Sequence, residues 1–166
     1  RPGSETRVRV DYDTLSRLNS RLIYASISAY GRDGPDAGLP GYDIVLQSRS
    51  GILSTRRHPD GTPVPYPIML SDMSGCMALS YAVMLALWER EKTDAGQRVD
   101  TSLLNQALAM QMQQLVWVDG DDTPLPGARP TAMATCYQCS DGEWLTIVAI
   151  EDHQWRSLCE VLELEH

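Results

Sequence analysis

Basic residues are scarce in this chain. Fourteen Lys and Arg stand against 22 Asp and Glu, a net charge of −8. Non-specific binding to nucleic acid or to an anionic membrane relies on basic faces, so neither partner is expected. A small anionic ligand stays compatible, because a local Arg or a helix N-terminus holds phosphate against the net charge. Cysteine is sparse too. Cys76, Cys136, Cys139 and Cys159 show no disulfide spacing and read as reduced thiols of a cytoplasmic protein. Cys136 and Cys139 form one CxxC, without the second pair that a zinc site needs and without a redox strand–helix context. They read as two ordinary half-buried cysteines, and no metal site is expected. Internal repeats and low-complexity tracts are also missing, and no signal peptide is expected. The chain opens on Arg1 and stops at His166 inside a helical pattern, which reads as an internal fragment, with His166 either native or the stub of a tag.

What is present is a globular composition. Hydrophobic residues make up 43% of 166, enough for one ordinary core. Asp13 is placed to cap a short helix over 15–18, closed by Asn19. LIYASIS (22–28) reads as a strand, and AYGRDGPDAGLPG after it as loop. The C-terminal end of such a strand is where α/β proteins place ligands. YDIVLQSRS (42–50) has helical spacing and ends at Gly51, and RRHPDGTPVPY (56–66) is a turn-rich loop. A long apolar helix follows over about 72–92, with Ser71 or Asp72 as its cap. Gln97 to Val99 are extended. Asp100 or Thr101 then caps a helix running to about Leu115, with Leu104, Leu108, Met112 and Leu115 on one stripe. WLTIVAI (144–150) reads as a strand and Asp152 opens a last helix, in which Trp155, Leu158, Cys159 and Leu162 share a face.

No charged side chain occurs between Met73 and Trp88, yet Asp72 stands at the front of that run. The run is shorter than the ~20 residues a membrane span needs and includes Gly75 and two Ser, so it reads as a core helix. Two roles stay open for Asp72 from the residues alone. An acid at a helix N-terminus is held ionised and is most often a cap. Facing a cleft, the same carboxylate is a nucleophile toward an activated acyl group. The stiff approach Pro65-Tyr66-Pro67 and the small Gly75 one turn on fit a site that a bulky group must reach.

RPGSETRVRVDYDTLSRLNSRLIYASISAYGRDGP, PGYDIVLQSRSG and LSDMSGCMALSYAVMLALWEREKTDAGQRVDTSLLNQAL together resemble the class III CoA-transferases, the CaiB/BaiF family. YQCSDGEWLTIVAIEDHQWRSLCEVL is similar to the start of that family's small domain. The blocks occur in order and span nearly all of the chain. The resemblance implies an α/β fold: part of a Rossmann-like large domain over 1–117, a linker over 118–132 and the start of a small α+β domain over 133–166. It implies interlocked homodimers of a chain about twice this length, so the 166 residues alone are expected to be inactive and poorly soluble.

The resemblance also implies that Asp72 attacks an acyl-CoA thioester and carries CoA as an aspartyl thioester to a carboxylic acid acceptor. Coenzyme A is then a co-substrate, and no permanently bound cofactor is implied. Arg7 stands where the family places an Arg near CoA; a solvated surface Arg is the alternative. Tyr42 and Asp43 match an aromatic–acid pair lining the family's active site; a core Tyr and a helix-capping Asp are the alternatives. Gly127 matches a loop over the aspartyl intermediate, Trp117 stands near the acceptor pocket or in the core, and Lys92 is a surface residue. Related racemases have His where Tyr42 stands, while His58 and His153 lie elsewhere. Transfer is thus favoured over the alternatives, an acyl-CoA racemase or epimerase and an inactive CoA-binding relative.

Overall fold

The computed structural model of the chain describes residues 2–115 and 131–164. The chain divides into two compact units, Arg1–Asp119 and Gly120–His166. Most of the expected linker over 118–132, with Trp117 and Gly127, lies outside the described residues.

The first unit begins with two short helices, α1 (Ser4–Arg7) and α2 (Tyr12–Leu18). Asp11, rather than Asp13, caps α2: its Oδ1 accepts the Thr14 N–H at 3.0 Å and its Oδ2 the Thr14 hydroxyl at 2.9 Å. The helix therefore starts earlier than the spacing suggested, and Asp13 falls inside its first turn. Asn19 ends it, as expected. Strand β1 (Ile23–Ser28) pairs in parallel with β2 (Gln97–Ser102), in a register from Ile23 opposite Gln97 to Ser28 opposite Ser102. A parallel pair needs a long crossover. Here it comprises α3 (Asp43–Arg49), a 3₁₀ turn (Ile52–Thr55), a small hairpin bridged at Arg57 and Pro63, and α4 (Leu70–Thr93).

Helix α4 packs on β1, β2 and α3, and on α5 (Leu103–Ala109). Its buried residues are small: Ser71, Gly75 and Ala86. That lets the helix approach the strands closely. At Gly75 a Cβ would stand 2.6 Å from Leu103 Cδ2 and 2.8 Å from Ile27 Cδ1. Gly75 thus closes a packing contact and does not open room beside Asp72, a correction to the sequence reading. The large residues Met73, Met77, Tyr81, Met84, Leu85 and Trp88 lie exposed on the other side. Two strands offer too little surface to cover a helix of 24 residues. At that length α4 is also longer than the apolar run it contains. By length and composition alone it is long and apolar enough to cross a membrane.

Strand β2 runs further than expected. Ser102, not Asp100 or Thr101, caps α5 by accepting the Asn105 N–H at 3.1 Å. The single helix expected up to Leu115 is broken at Met110–Gln111, and α6 (Met112–Leu115) follows. At the break Gln111 is buried, and its Nε2 donates to Ala107 O at 2.9 Å and to Ser50 O at 3.1 Å. One long-range bond to the end of α3 thus outweighs the local helical stripe.

In the second unit, β3 (Ala134–Gln138) and β4 (Trp144–Val148) form an antiparallel hairpin around Ser140–Gly142, and α7 (Asp152–Val161) follows. Gly142 turns at φ 88°, the left-handed region in which glycine carries no Cβ penalty. Strand β3 was not read from the sequence. Cys136 and Cys139, expected to be half-buried, are exposed free thiols, while Cys159 is buried. On α7 the expected apolar face is only partly covered, with Leu162 exposed beyond the end of the helix. Among the described residues no group of three or more metal-ligating side chains comes together.

Candidate active site

Helix α4 starts two residues earlier than its acidic residue suggested. Met69 occupies the cap position and has no side-chain oxygen to offer. Asp72 therefore sits inside the first turn and does not cap the helix. The Leu70 N–H donates to Ile68 O at 2.9 Å, and the next two orphan donors of that turn are met from another helix. Asp43, first residue of α3, accepts the Ser71 N–H at 2.7 Å and the Asp72 N–H at 3.3 Å on Oδ1. Its Oδ2 accepts from Gln47 Nε2 at 2.5 Å. So Asp43 is a cap, one of its two open roles, but of α4 and not of its own helix.

Gln47 lies one turn after Asp43 on the same face of α3 and is 1% exposed. Its Nε2 also donates to Ile68 O at 3.3 Å, and its Oε1 accepts the Tyr66 N–H at 3.1 Å. The stiff Pro65-Tyr66-Pro67 approach is thereby tied to α3. Sequence reasoning missed Gln47. Its signal was a polar residue four positions after Asp43, beside Leu46, on the inward face of a short amphipathic helix.

Asp72 is half-buried and its carboxylate makes no hydrogen bond among the described residues. Burial, and then the charge of Asp43, push its pKa above the ordinary aspartate value. The sequence reading, in which the helix N-terminus holds the acid ionised, overlooked both effects. Asp43 already occupies the donors that would have stabilised the charge of Asp72.

Tyr42 precedes Asp43 and is 73% exposed in this chain. Its carbonyl starts α3, accepting the Val45 N–H at 2.9 Å and the Leu46 N–H at 3.1 Å. Gly41 brings this corner against β1's exit: a Cβ there would stand 2.4 Å from Ala29 Cβ. Tyr42 lines an open cavity of about 320 Å³, with Ile27, Ala29, Leu39 and Leu103 among its other walls. Ile27 and Leu103 are the residues seated on Gly75, so the cavity borders the first turns of α4, although Asp72 is not in its wall. It lies at the C-terminal end of a parallel strand, where the sequence reading placed a ligand.

Arg7 ends α1 and is exposed. The structure brings Tyr42, Asp43 and Asp72 into one corner and gives Arg7 no contact with them. The neighbouring Arg32 instead pairs with Glu5 at 2.8 Å.

Comparison with known proteins bears on this corner. The chain is 35% identical to an acetyl-CoA:oxalate CoA-transferase from Acetobacter aceti, over 98% of this chain and 43% of the relative. It is 31% identical to a succinate–glutarate CoA-transferase from Agrobacterium fabrum, over 92% of this chain and 39% of the relative. A crystal structure of a CaiB/BaiF family protein from Brucella suis superposes with a TM-score of 0.78 at 28% identity, covering 98% of this chain and 44% of that one. A Mycobacterium tuberculosis protein, described as hypothetical, superposes at 0.85 with 28% identity, covering 99% and 44%. The chain thus spans about two fifths of the length of these relatives. The α/β fold is that of class III CoA-transferase structures, and CoA-transferase family III matches along residues 1–166: the chain belongs to that family.

Proposed function

We propose that this chain carries the nucleophile of a CoA-transferase and that Asp72 is that residue. The observation behind it is a half-buried carboxylate, at the first turn of a long helix, whose capping duty has passed to another residue. The Asp72 carboxylate attacks the carbonyl carbon of an acyl-CoA thioester. The C–S bond breaks, giving an acyl–aspartyl anhydride and CoA thiolate. The thiolate attacks the aspartyl carbonyl, giving an aspartyl-CoA thioester and releasing the donor acid as its carboxylate. The acceptor carboxylate attacks that thioester, the C–S bond breaks to give an aspartyl–acceptor anhydride and CoA thiolate, and the thiolate attacks the acceptor's carbonyl, giving the acceptor's CoA thioester and freeing the Asp72 carboxylate. Each step exchanges one activated acyl bond for another, so none goes far uphill, and no proton need move.

The remaining assignments rest on the family resemblance. Arg7 contacts a CoA phosphate, Tyr42 lines the acyl or acceptor site, and Gly127 belongs to a loop over the intermediate. The units are parts of a Rossmann-like large domain and a small α+β domain, over 1–117 and 133–166. The full-length protein is an interlocked cytoplasmic homodimer acting on an acyl-CoA and a small carboxylic acid, and the 166 residues alone are inactive.

A second reading draws on one observation. A carboxylate with raised proton affinity also suits a base at the α-carbon of an acyl-CoA, the racemase chemistry. Tyr42 stands where those enzymes have His, which favours transfer.

The test is intact mass of the full-length protein after incubation with a panel of acyl-CoA esters, with and without hydroxylamine. A hydroxylamine-labile adduct of CoA mass, absent in Asp72→Asn, is expected. If no ester gives an adduct while CoA still binds, transfer on Asp72 is wrong, and α-proton exchange into solvent then separates a racemase from an inactive relative.

A further inference from the structure

We propose that Asp43, backed by Gln47, is the positioning residue for Asp72: it takes the Ser71 and Asp72 backbone donors of α4 and leaves the Asp72 carboxylate free to reach an acyl carbon. This rests on the reading of Asp72 as nucleophile. It reassigns Asp43 from lining the substrate site to setting the nucleophile's geometry.

Three observations carry it. First, a helix start needs acceptors, and Met69 supplies none from its side chain. An acid in the first turn would ordinarily turn back to such donors. Asp43 meets the Ser71 and Asp72 N–H groups first, so the Asp72 side chain is not drawn onto its own helix. Second, both Asp43 oxygens are engaged by protein donors, Oδ1 by the two N–H groups and Oδ2 by Gln47. A carboxylate so engaged is a poor ligand for substrate and a good clamp. Third, the clamp stands on a held element. Gln47 grips the approach to α4 at Tyr66 and Ile68, and Gln111 ties the far end of α3 through Ser50 O. Reacting groups held by interlocked supports of this kind keep the near-attack geometry that transfer needs.

The clamp carries an electrostatic consequence. Asp43 is the one charged side chain that bears on Asp72 among the described residues. β1 and α5 carry none, and on β2 Arg98 and Asp100 pair with each other at 2.7 Å. In the loop before α4, Tyr66 meets Thr55 Oγ1 through its hydroxyl at 3.0 Å. Cys76, one turn on, is exposed.

The experiment uses the full-length protein and two variants. Asp43→Asn keeps an acceptor for the helix donors and removes the charge; Asp43→Ala removes both. Adduct formation is followed by rapid-quench mass measurement, and the protonation of Asp72 by the pH profile of carbodiimide labelling at that residue. Asp43→Ala is expected to slow adduct formation roughly 10²-fold with little change in the acyl-CoA concentration at half-maximal rate. Asp43→Asn is expected to recover most of that rate and to move the labelling midpoint of Asp72 to lower pH. An unmoved midpoint in Asp43→Asn overturns the proposal, as does a loss that appears only as weaker acyl-CoA binding. The labelling arm needs no turnover: a moved midpoint with no adduct in the parent protein overturns the nucleophile reading and leaves the clamp standing. If Asp43→Ala does not fold, Asp43→Asn decides alone.

Discussion

Asp43 and Asp72 sit at the starts of two different helices, and the side chain of the first accepts the backbone N–H of the second at 3.3 Å. The contact puts one negative charge where it relieves the helix and burdens the neighbouring carboxylate. Both effects are measurable.

Asp72→Asn is expected to abolish the CoA adduct and to raise the melting temperature at neutral pH. The sign follows from linkage. Folding raises the pKa of Asp72, so between the ordinary aspartate value and the raised one the folded state holds more proton than the unfolded chain. Stability from this group falls as pH rises through that window, and above it the charged side chain costs stability in full. Asn removes the cost. Calorimetry at several pH values checks it: the gain should fade as pH drops below the window, and a loss at pH 7 would count against the account.

Gln47→Leu should destabilise the protein by roughly 1–2 kcal/mol, because it leaves the half-buried Asp43 Oδ2 and Tyr66 N–H without their partner, while Ile68 O keeps the Leu70 N–H. Denaturant unfolding reads this directly. A cost under about 0.5 kcal/mol would mean that the approach loop is held by something else.

Ser71 offers an internal control. Its backbone N–H is clamped, but its hydroxyl is buried without a partner among the described residues. Ser71→Ala should therefore be neutral or stabilising by up to about 1 kcal/mol, with adduct formation unchanged. Loss of activity in this variant would show that the hydroxyl has a task.

The exposed row of Met73, Met77, Tyr81, Met84 and Trp88 should make the 166-residue chain self-associate. Met77→Lys with Met84→Lys is expected to lower association about tenfold, some 1.4 kcal/mol, in sedimentation velocity, with helix content unchanged. Equal association in both proteins would place the sticky surface elsewhere.

What could be read beforehand divides along contact range. The acid at the front of a charge-free run was visible, because its anomaly is local. Strand β1 and the Asn19 helix end were visible for the same reason. The true cap of α4 was not, since its partner lies 28 residues upstream and no spacing rule links a loop Met to a distant Asp. The break before α6 was hidden likewise, being made by Gln111 reaching 61 positions back to Ser50. Strand β3 escaped because ATCYQ has no clean alternation, and only its pairing with β4 makes it a strand.

The small hairpin between α3 and α4 now has a different standing from the two helices it joins. The bonds that fix Asp72 run from Asp43 and Gln47 directly to residues 66–72, bypassing the turn at 58–61, which is exposed and closed on itself by His58 and Thr62. Chain length there is mechanically decoupled from the nucleophile. Extra residues at Asp60–Gly61 would cost only slow-growing loop entropy, about 0.6 kcal/mol per doubling. That turn is the place in the crossover where a tag, a probe or a relative's insertion can be carried without moving the chemistry.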